Sequence, residues 1–288
     1  WLENDTSAET TEWVKQENEI TNNYLSKIPF REKLKERLTK IWDYPKVGVP
    51  SKEGPWYFFS KNNGLQNQFV LYVQKGLDGT PHVLLDPNTF SKDGTIALAG
   101  TSVSHDGKYM AYSLATSGSD WNEILVMEVE TGKKLTDTLK WVKFSGMSWL
   151  GNGFYYSRYD EPGKGGVLSG TNENHKVFFH KVGTPQSEDK LVYANPEFPL
   201  RNYNAGTTDD ERFLLLYESE STSGNALYYK DLSKNDKSFK KIAEGFEYDY
   251  SIVDNIGDKL LMITNYKAPK KKLVLVDPAD PDPKKWKN

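Results

Sequence analysis

Cysteine is absent from the 288 residues, and that absence removes disulfide scaffolds, thiol nucleophiles and cysteine-based zinc sites together. It leaves the compartment open, because cytoplasmic and periplasmic proteins alike can do without thiols. Histidine is scarce. His82, His105, His175 and His180 are the four, and none stands in an H-E-x-x-H or similar ligand spacing. Each reads as a surface or turn residue, so neither a metal nor a cofactor is expected. No G-x-S-x-G nucleophile elbow occurs; the nearest string, Gly146-Met147-Ser148-Trp149-Leu150, reads as a strand. No apolar run approaches the roughly 18 residues that span a bilayer, so no membrane-crossing helix is expected. A strong charge of one sign is missing too: the formal net charge is −3, with Lys and Glu interspersed. Without a basic stripe, nucleic acid is not an expected partner. The most compact charge run, Lys270 to Lys272, reads as a solvated hairpin loop. The chain opens on Trp1, which is compatible with a preceding segment such as a signal peptide.

What is present is aromatic and punctuated. Aromatics make up 13% of the residues, alongside 22 Gly and 14 Pro, a mix that suits short strands joined by tight turns. The start differs. Thr6 or Ser7 can cap a helix whose Trp13, Val14, Ile20, Tyr24 and Leu25 share one stripe. After Pro29, a second helix carries Phe30, Leu34, Leu38, Ile41 and Trp42 on one side. Two short helices cannot bury both stripes against each other. Residues 1–44 therefore form a helical segment and residues 45–288 a separate β unit.

In that β unit the pattern repeats. Paired strands are expected at Trp56–Phe59 and Phe69–Val73, Tyr109–Leu114 and Ile124–Val129, Phe154–Tyr159 and Val177–Val182, Phe213–Tyr217 and Leu227–Leu232, and Leu260–Thr264 and Leu273–Val276. A spacing of roughly 50 residues per unit is the mark of four-stranded propeller blades. Ser104-His105-Asp106-Gly107-Lys108 and Thr208-Asp209-Asp210-Glu211-Arg212 precede equivalent strands and read as turns in which Asp accepts backbone N–H groups. A first strand such as Gly146–Leu150 would line a central channel, and a fourth such as Lys190–Ala194 would lie outermost. Five units are visible, the fifth without its outer strand. The fold class is thus mainly β: a partial propeller preceded by two helices. Asp209/Asp210 and Glu218/Glu220 are the carboxylate pairs a glycosidase could use, since propellers host such enzymes.

Specific strings carry a resemblance. Trp1-Leu2-Glu3, Glu12-Trp13-Val14, Asp43-Tyr44-Pro45-Lys46, Gly64-Leu65-Gln66-Asn67-Gln68 and Leu85-Asp86-Pro87-Asn88 follow one another in one order. Asp93-Gly94-Thr95, Ser117-Gly118-Ser119-Asp120-Trp121, Val142-Lys143-Phe144-Ser145, Gly183 to Asp189, Glu247-Tyr248-Asp249-Tyr250 and Lys285-Trp286-Lys287 continue it to the end. The whole chain resembles the prolyl oligopeptidase family of serine peptidases. The resemblance implies an N-terminal helical segment, a seven-bladed propeller of which about five blades fall within this sequence, and a C-terminal α/β-hydrolase domain that holds the catalytic Ser, Asp and His. It implies short proline-containing peptides as substrates, a lid-like role for the propeller, and helices that pack on the hydrolase domain. The chain alone would then be inactive, and its open blades and apolar stripe would favour self-association. The loop of Asp120 and Trp121 would face the hydrolase domain, with Asp120 pairing an Arg there, and Phe144 would wall the substrate pocket. On the residues alone, Phe144 and Trp121 read as core and Asp120 as a loop cap. A propeller Arg common in the family has no counterpart on Leu214–Glu220, where Ser219 or a neighbour stands and Arg212 is out of register. The competing class is a stand-alone propeller that binds a protein or peptide without catalysis.

Overall fold

The computed structural model describes residues 1–4, 6–163, 167 and 170–287. Helix α1 (Ala8–Ser26) starts where Ser7, in extended backbone, accepts the Thr10 N–H at 3.1 Å, relieving one unpaired donor of the first turn. Helix α2 (Arg31–Trp42) has no side-chain cap, but Glu32 in its first turn and Lys40 in its last complement the helix dipole. The anticipated stripe exists and is uncovered: Trp13, Ile20, Leu34, Leu38 and Trp42 are all exposed.

From Lys46 onward the chain is strand and turn. The first unit comprises β1 (Lys46–Val47), β2 (Ser51–Glu53), β3 (Trp56–Asn62), β4 (Val70–Lys75) and β5 (His82–Leu85). Here β1 and β2 pair with opposite ends of β3, so they form one innermost strand interrupted near Pro50. The second unit is β6 (Ile96–Val103), β7 (Tyr109–Thr116), β8 (Asn122–Glu128) and β9 (Lys134–Val142). The third is β10 (Ser148–Leu150), β11 (Gly153–Arg158), β12 (Lys176–Lys181) and β13 (Lys190–Tyr193). The fourth is β14 (Asn202–Thr207), β15 (Phe213–Ser219), β16 (Ala226–Asp231) and β17 (Lys240–Ala243), and the fifth is β18 (Tyr250–Ile256), β19 (Lys259–Thr264) and β20 (Lys272–Val276). Each is an antiparallel meander, and one backbone pair, Val142 with Arg158, stitches the second unit to the third. In all four complete units the register between the third and fourth strands shifts by a bulge.

The expected strand pairs all form, with ends that coincide or shift by up to three residues. As expected, the fifth unit has no fourth strand among the described residues; only an isolated bridge, in which Lys287 and Leu275 exchange both backbone hydrogen bonds, stands at its outer position.

Blades stack because both faces of their middle strands are apolar. In β7, Met110 and Tyr112 pack toward the first unit while Ala111 packs toward the third. In β15, Leu214 and Leu216 face the third unit, and Phe213 and Leu215 face the fifth. Strand alternation sends successive side chains to opposite neighbours, which is why these strands read as unbroken apolar runs. Each fully buried Leu, Phe or Met among them contributes about 1.5–3 kcal/mol. The fifth unit buries Leu260 and Met262 against the fourth, but Val253, Ile263 and Leu273 on its other face remain exposed. The innermost strands of the first four units contribute to a cavity of about 560 Å³, where Ser51, Thr101, Ser102, Ser148 and Thr207 stand among apolar residues such as Phe58, Leu71 and Met110.

The turns between first and second strands share a chemistry. Asp106 Oδ1 accepts from the Lys108 N–H at 2.9 Å and from Ser104 Oγ at 2.6 Å; Asp210 Oδ1 does the same for Arg212 and Thr208. Gly107 has φ of +72°, and a Cβ there would lie 2.8 Å from the Glu53 carbonyl oxygen, so only glycine lets the first two blades approach.

Two histidines depart from expectation. His82 is exposed and His105 lies half-buried in its turn, but His175 and His180 are fully enclosed. His180 sits between blades, Nδ1 2.7 Å from Asp189 Oδ1 and Nε2 2.9 Å from Asp137 Oδ1. Burial alone would lower its pKa, but hydrogen bonds to Asp137 and Asp189 outweigh it and raise the imidazole to about 9. With a carboxylate facing each ring nitrogen, the imidazolium form can donate to both.

Candidate functional site

In a meander, alternate connections fall at the same end. The loops joining second to third strands therefore share one end of the blades with the segments leading to the next unit. Asp120 and Trp121 lie in the β7–β8 loop, and Phe144 in the β9–β10 connection. Helix α2 runs into β1, whose Lys46 pairs with Asn62 at this same end of β3. Its Nζ also binds the carbonyls of Trp42 and Gly64, pinning the helix exit there. The uncovered helix, Asp120 and Phe144 thus share one end of the molecule.

Asp120 does not cap its loop. Its carboxylate reaches the ammonium of Lys143, Oδ2 to Nζ 3.5 Å, with the Asp side chain 69% exposed and the Lys side chain 12% exposed. Nζ also stands 5.2 Å from the ring centres of both Trp121 and Phe144. Trp121 is half-buried rather than core. It meets Trp141 and Tyr159 edge-on at 5.8 and 6.0 Å, and its indole N–H donates to the Val167 carbonyl. Phe144 is likewise not core: it is 53% exposed, on a backbone of φ +54°. A left-handed conformation at a bulky residue costs about 1–2 kcal/mol and persists where surroundings hold it.

What holds it lies beneath. His175 Nε2 donates to the Lys143 carbonyl at 3.0 Å, while Nδ1 accepts the Tyr203 N–H at 3.0 Å. That donor–acceptor set requires a neutral ring, and burial accordingly pushes its pKa down to about 4. The Tyr159 ring lies over it at 4.5 Å, and its hydroxyl donates to Asn202 Oδ1. Beside these residues opens a cleft of about 210 Å³ between Trp121, Tyr159, Asp160 and Glu173.

Three of the four carboxylates considered for glycoside chemistry are otherwise engaged. Asp210 caps its turn, and Glu218 and Glu220 both bind Arg201. They also lie at opposite ends of β15. Arg201 itself was not anticipated: it precedes Asn202, which pairs with Ser219, so a guanidinium stands beside the strand end where the sequence offers none. It is sandwiched by Phe198 and Phe246, its centre 3.6 and 4.9 Å from the two rings.

The family model described as "Prolyl oligopeptidase, N-terminal beta-propeller domain" matches residues 1–288. The chain belongs to the prolyl oligopeptidase family. It is 47% identical to the prolyl endopeptidase of Elizabethkingia meningoseptica, an alignment covering 100% of this chain and 41% of that protein. Among solved structures, one from a study of two prolyl endopeptidases and inter-domain dynamics superposes with a TM-score of 0.75 at 37% identity, covering 96% of this chain and 40% of that one. Prolyl oligopeptidase B from Galerina marginata, bound to a 35mer hydrolysis and macrocyclization substrate, superposes at 0.84 with 30% identity, covering 97% of this chain and 42% of that one. The chain thus spans about two-fifths of the length of these oligopeptidase relatives.

Proposed function

We propose that this chain is the N-terminal and propeller portion of a serine endopeptidase that cleaves short peptides after proline. The catalytic Ser, His and Asp would come from an α/β-hydrolase domain docked on the end of the blades that carries α2, Asp120 and Phe144. One observation carries the reading: an apolar helical stripe, an exposed carboxylate and an exposed aromatic converge on one end. An apolar stripe of that length wants a partner surface. Asp120 would pair with a cation of the catalytic domain, and Phe144 would wall the pocket for residues upstream of the cut bond. The exposed outer face of the fifth unit would be covered by a further blade.

In this reading the propeller does no bond-breaking. Its stacked blades would exclude folded chains and bulk water from the cavity beneath, so that the serine, its base and its oxyanion hole act on peptides alone. The test uses the whole protein to which this chain belongs. It should cleave a chromogenic peptide after proline and leave a folded protein bearing the same Pro-containing sequence intact. Equal cleavage of both would overturn the lid, and cleavage of neither would overturn the activity.

A further inference from the structure

We infer that Lys143 is a positioning residue of this end of the propeller: its ammonium sets the Asp120 carboxylate and the Phe144 ring relative to each other. Domain docking and the shape of the substrate wall would then be coupled through one side chain. The inference rests on the roles proposed above for Asp120 and Phe144, and adds a residue that carries neither.

Lysines at blade ends are ordinarily solvated. Lys140, three residues earlier on β9, has 58% of its side chain exposed and reaches Glu123 at 3.9 Å. Lys143 has only 12% exposed. A shielded ammonium keeps its charge only where other groups replace water. Here the replacements are the Asp120 carboxylate at 3.5 Å and the faces of Trp121 and Phe144, each at 5.2 Å. Those are the residues this reading places at the domain interface and the substrate wall, together with the indole that links them.

The backbone of Lys143 is fixed on both sides. Val142 pairs with Asn122 of β8 and with Arg158 of β11, the carbonyl of Lys143 is held by neutral His175, and Phe144 follows in a left-handed conformation. With its backbone fixed and its side chain only 12% exposed, the ammonium has little room to follow a wandering partner. Among the described residues, Asp120 Oδ2 is engaged by Lys143 and Oδ1 has no side-chain partner. The carboxylate is tethered at one oxygen and still 69% exposed, so it stays open to an incoming guanidinium. The ring of Phe144, half exposed, is steadied on its other face by the same charge.

The test compares Lys143→Met, Lys143→Arg, Asp120→Asn and Phe144→Ala in the whole protein, with the double variants of Lys143→Met with each of the other two sites. The readouts are kcat and KM on a chromogenic proline-containing peptide, with Lys143→Gln as the substitute if the Met variant does not fold. Lys143→Met should lower kcat/KM roughly 3- to 10-fold, chiefly through KM, and Lys143→Arg should recover it to within about 2-fold. Each double variant should be little worse than its more impaired single parent, because the lost interactions are shared. A silent Lys143→Met, no recovery by Arg, or additive losses with both partners would overturn the assignment. If Asp120→Asn and Phe144→Ala impair catalysis while Lys143→Met does not, only Lys143 falls. If all three are silent, the functional reading of this end falls with it.

Discussion

Alkaline titration should loosen the seam between the second and third blades. His180 donates one ring N–H to Asp189 and the other to Asp137. A neutral ring can donate only one, and its remaining lone pair would then face a carboxylate. The folded chain holds this imidazole up to about 9 against an ordinary 6.5. A raised pKa means the stabilisation is complete below 6.5 and is lost as pH climbs through 9. At about 1.4 kcal/mol per pH unit, the contribution is on the order of 3 kcal/mol. His175 works the other way. Burial holds it down to about 4, so its contribution is complete above 6.5 and is lost as pH falls through 4, with similar size. Together the two rings produce a stability maximum near pH 6.5. Asp106 and Asp137 have pKa values lowered from 3.8 and act below this range, whereas Glu53, raised chiefly by burial, opposes the acid limb. Differences between wild type and variants therefore carry the measurement. Guanidinium midpoints followed by tryptophan fluorescence would be recorded across the range for wild type, His180→Gln and His175→Gln. His180→Gln should be less stable at pH 6.5 yet lose the alkaline slope, and His175→Gln should lose part of the acid slope. Parallel curves for wild type and His180→Gln between pH 6.5 and 9 would refute the doubly protonated bridge.

Three further outcomes are expected. The purified 288-residue chain should not turn over a chromogenic proline peptide; activity that survives repurification and titrates with a serine-directed inhibitor would contradict this. In the whole protein, Asp120→Asn should lower kcat/KM while thermal unfolding stays nearly unchanged, since an exposed ion pair is worth only about 0–1 kcal/mol to stability; unchanged kinetics would remove the latch. The isolated chain should self-associate through the helical stripe and the open face of the fifth unit, and light scattering showing only monomer across the micromolar range would contradict it.

Much of the architecture was legible because strands buried on both faces carry their own signature. Phe213 to Tyr217 could hardly be anything but an inner-blade strand, and the Ser/Thr-x-Asp turns announced where such strands begin. Ser7 was legible as a cap for the same local reason. The site was less so. On local pattern Phe144 looked like core, because nothing in Val-Lys-Phe-Ser shows that the chain turns left-handed there and lifts the ring outward. His180 shares a strand face with buried Phe178, two residues away, and that alternation was the available sign of its burial. Its partners were not legible, since Asp137 lies 43 residues away on another blade. The same holds for Lys143, whose importance appears only when Asp120, Trp121 and Phe144 are brought around it.

The bulges that recur between third and fourth strands have a consequence for the outer circumference. In three of the four complete units the fourth strand is four residues long, and β13 and β17 begin with Lys190 and Lys240. A bulge bends its strand and steepens the local twist. Short, twisted, lysine-bearing rims make poor templates for an added strand, although their backbone groups are unpaired. Crowded copies of this molecule can therefore touch at the circumference without fusing their sheets into a fibre, and the repeated defect doubles as insulation.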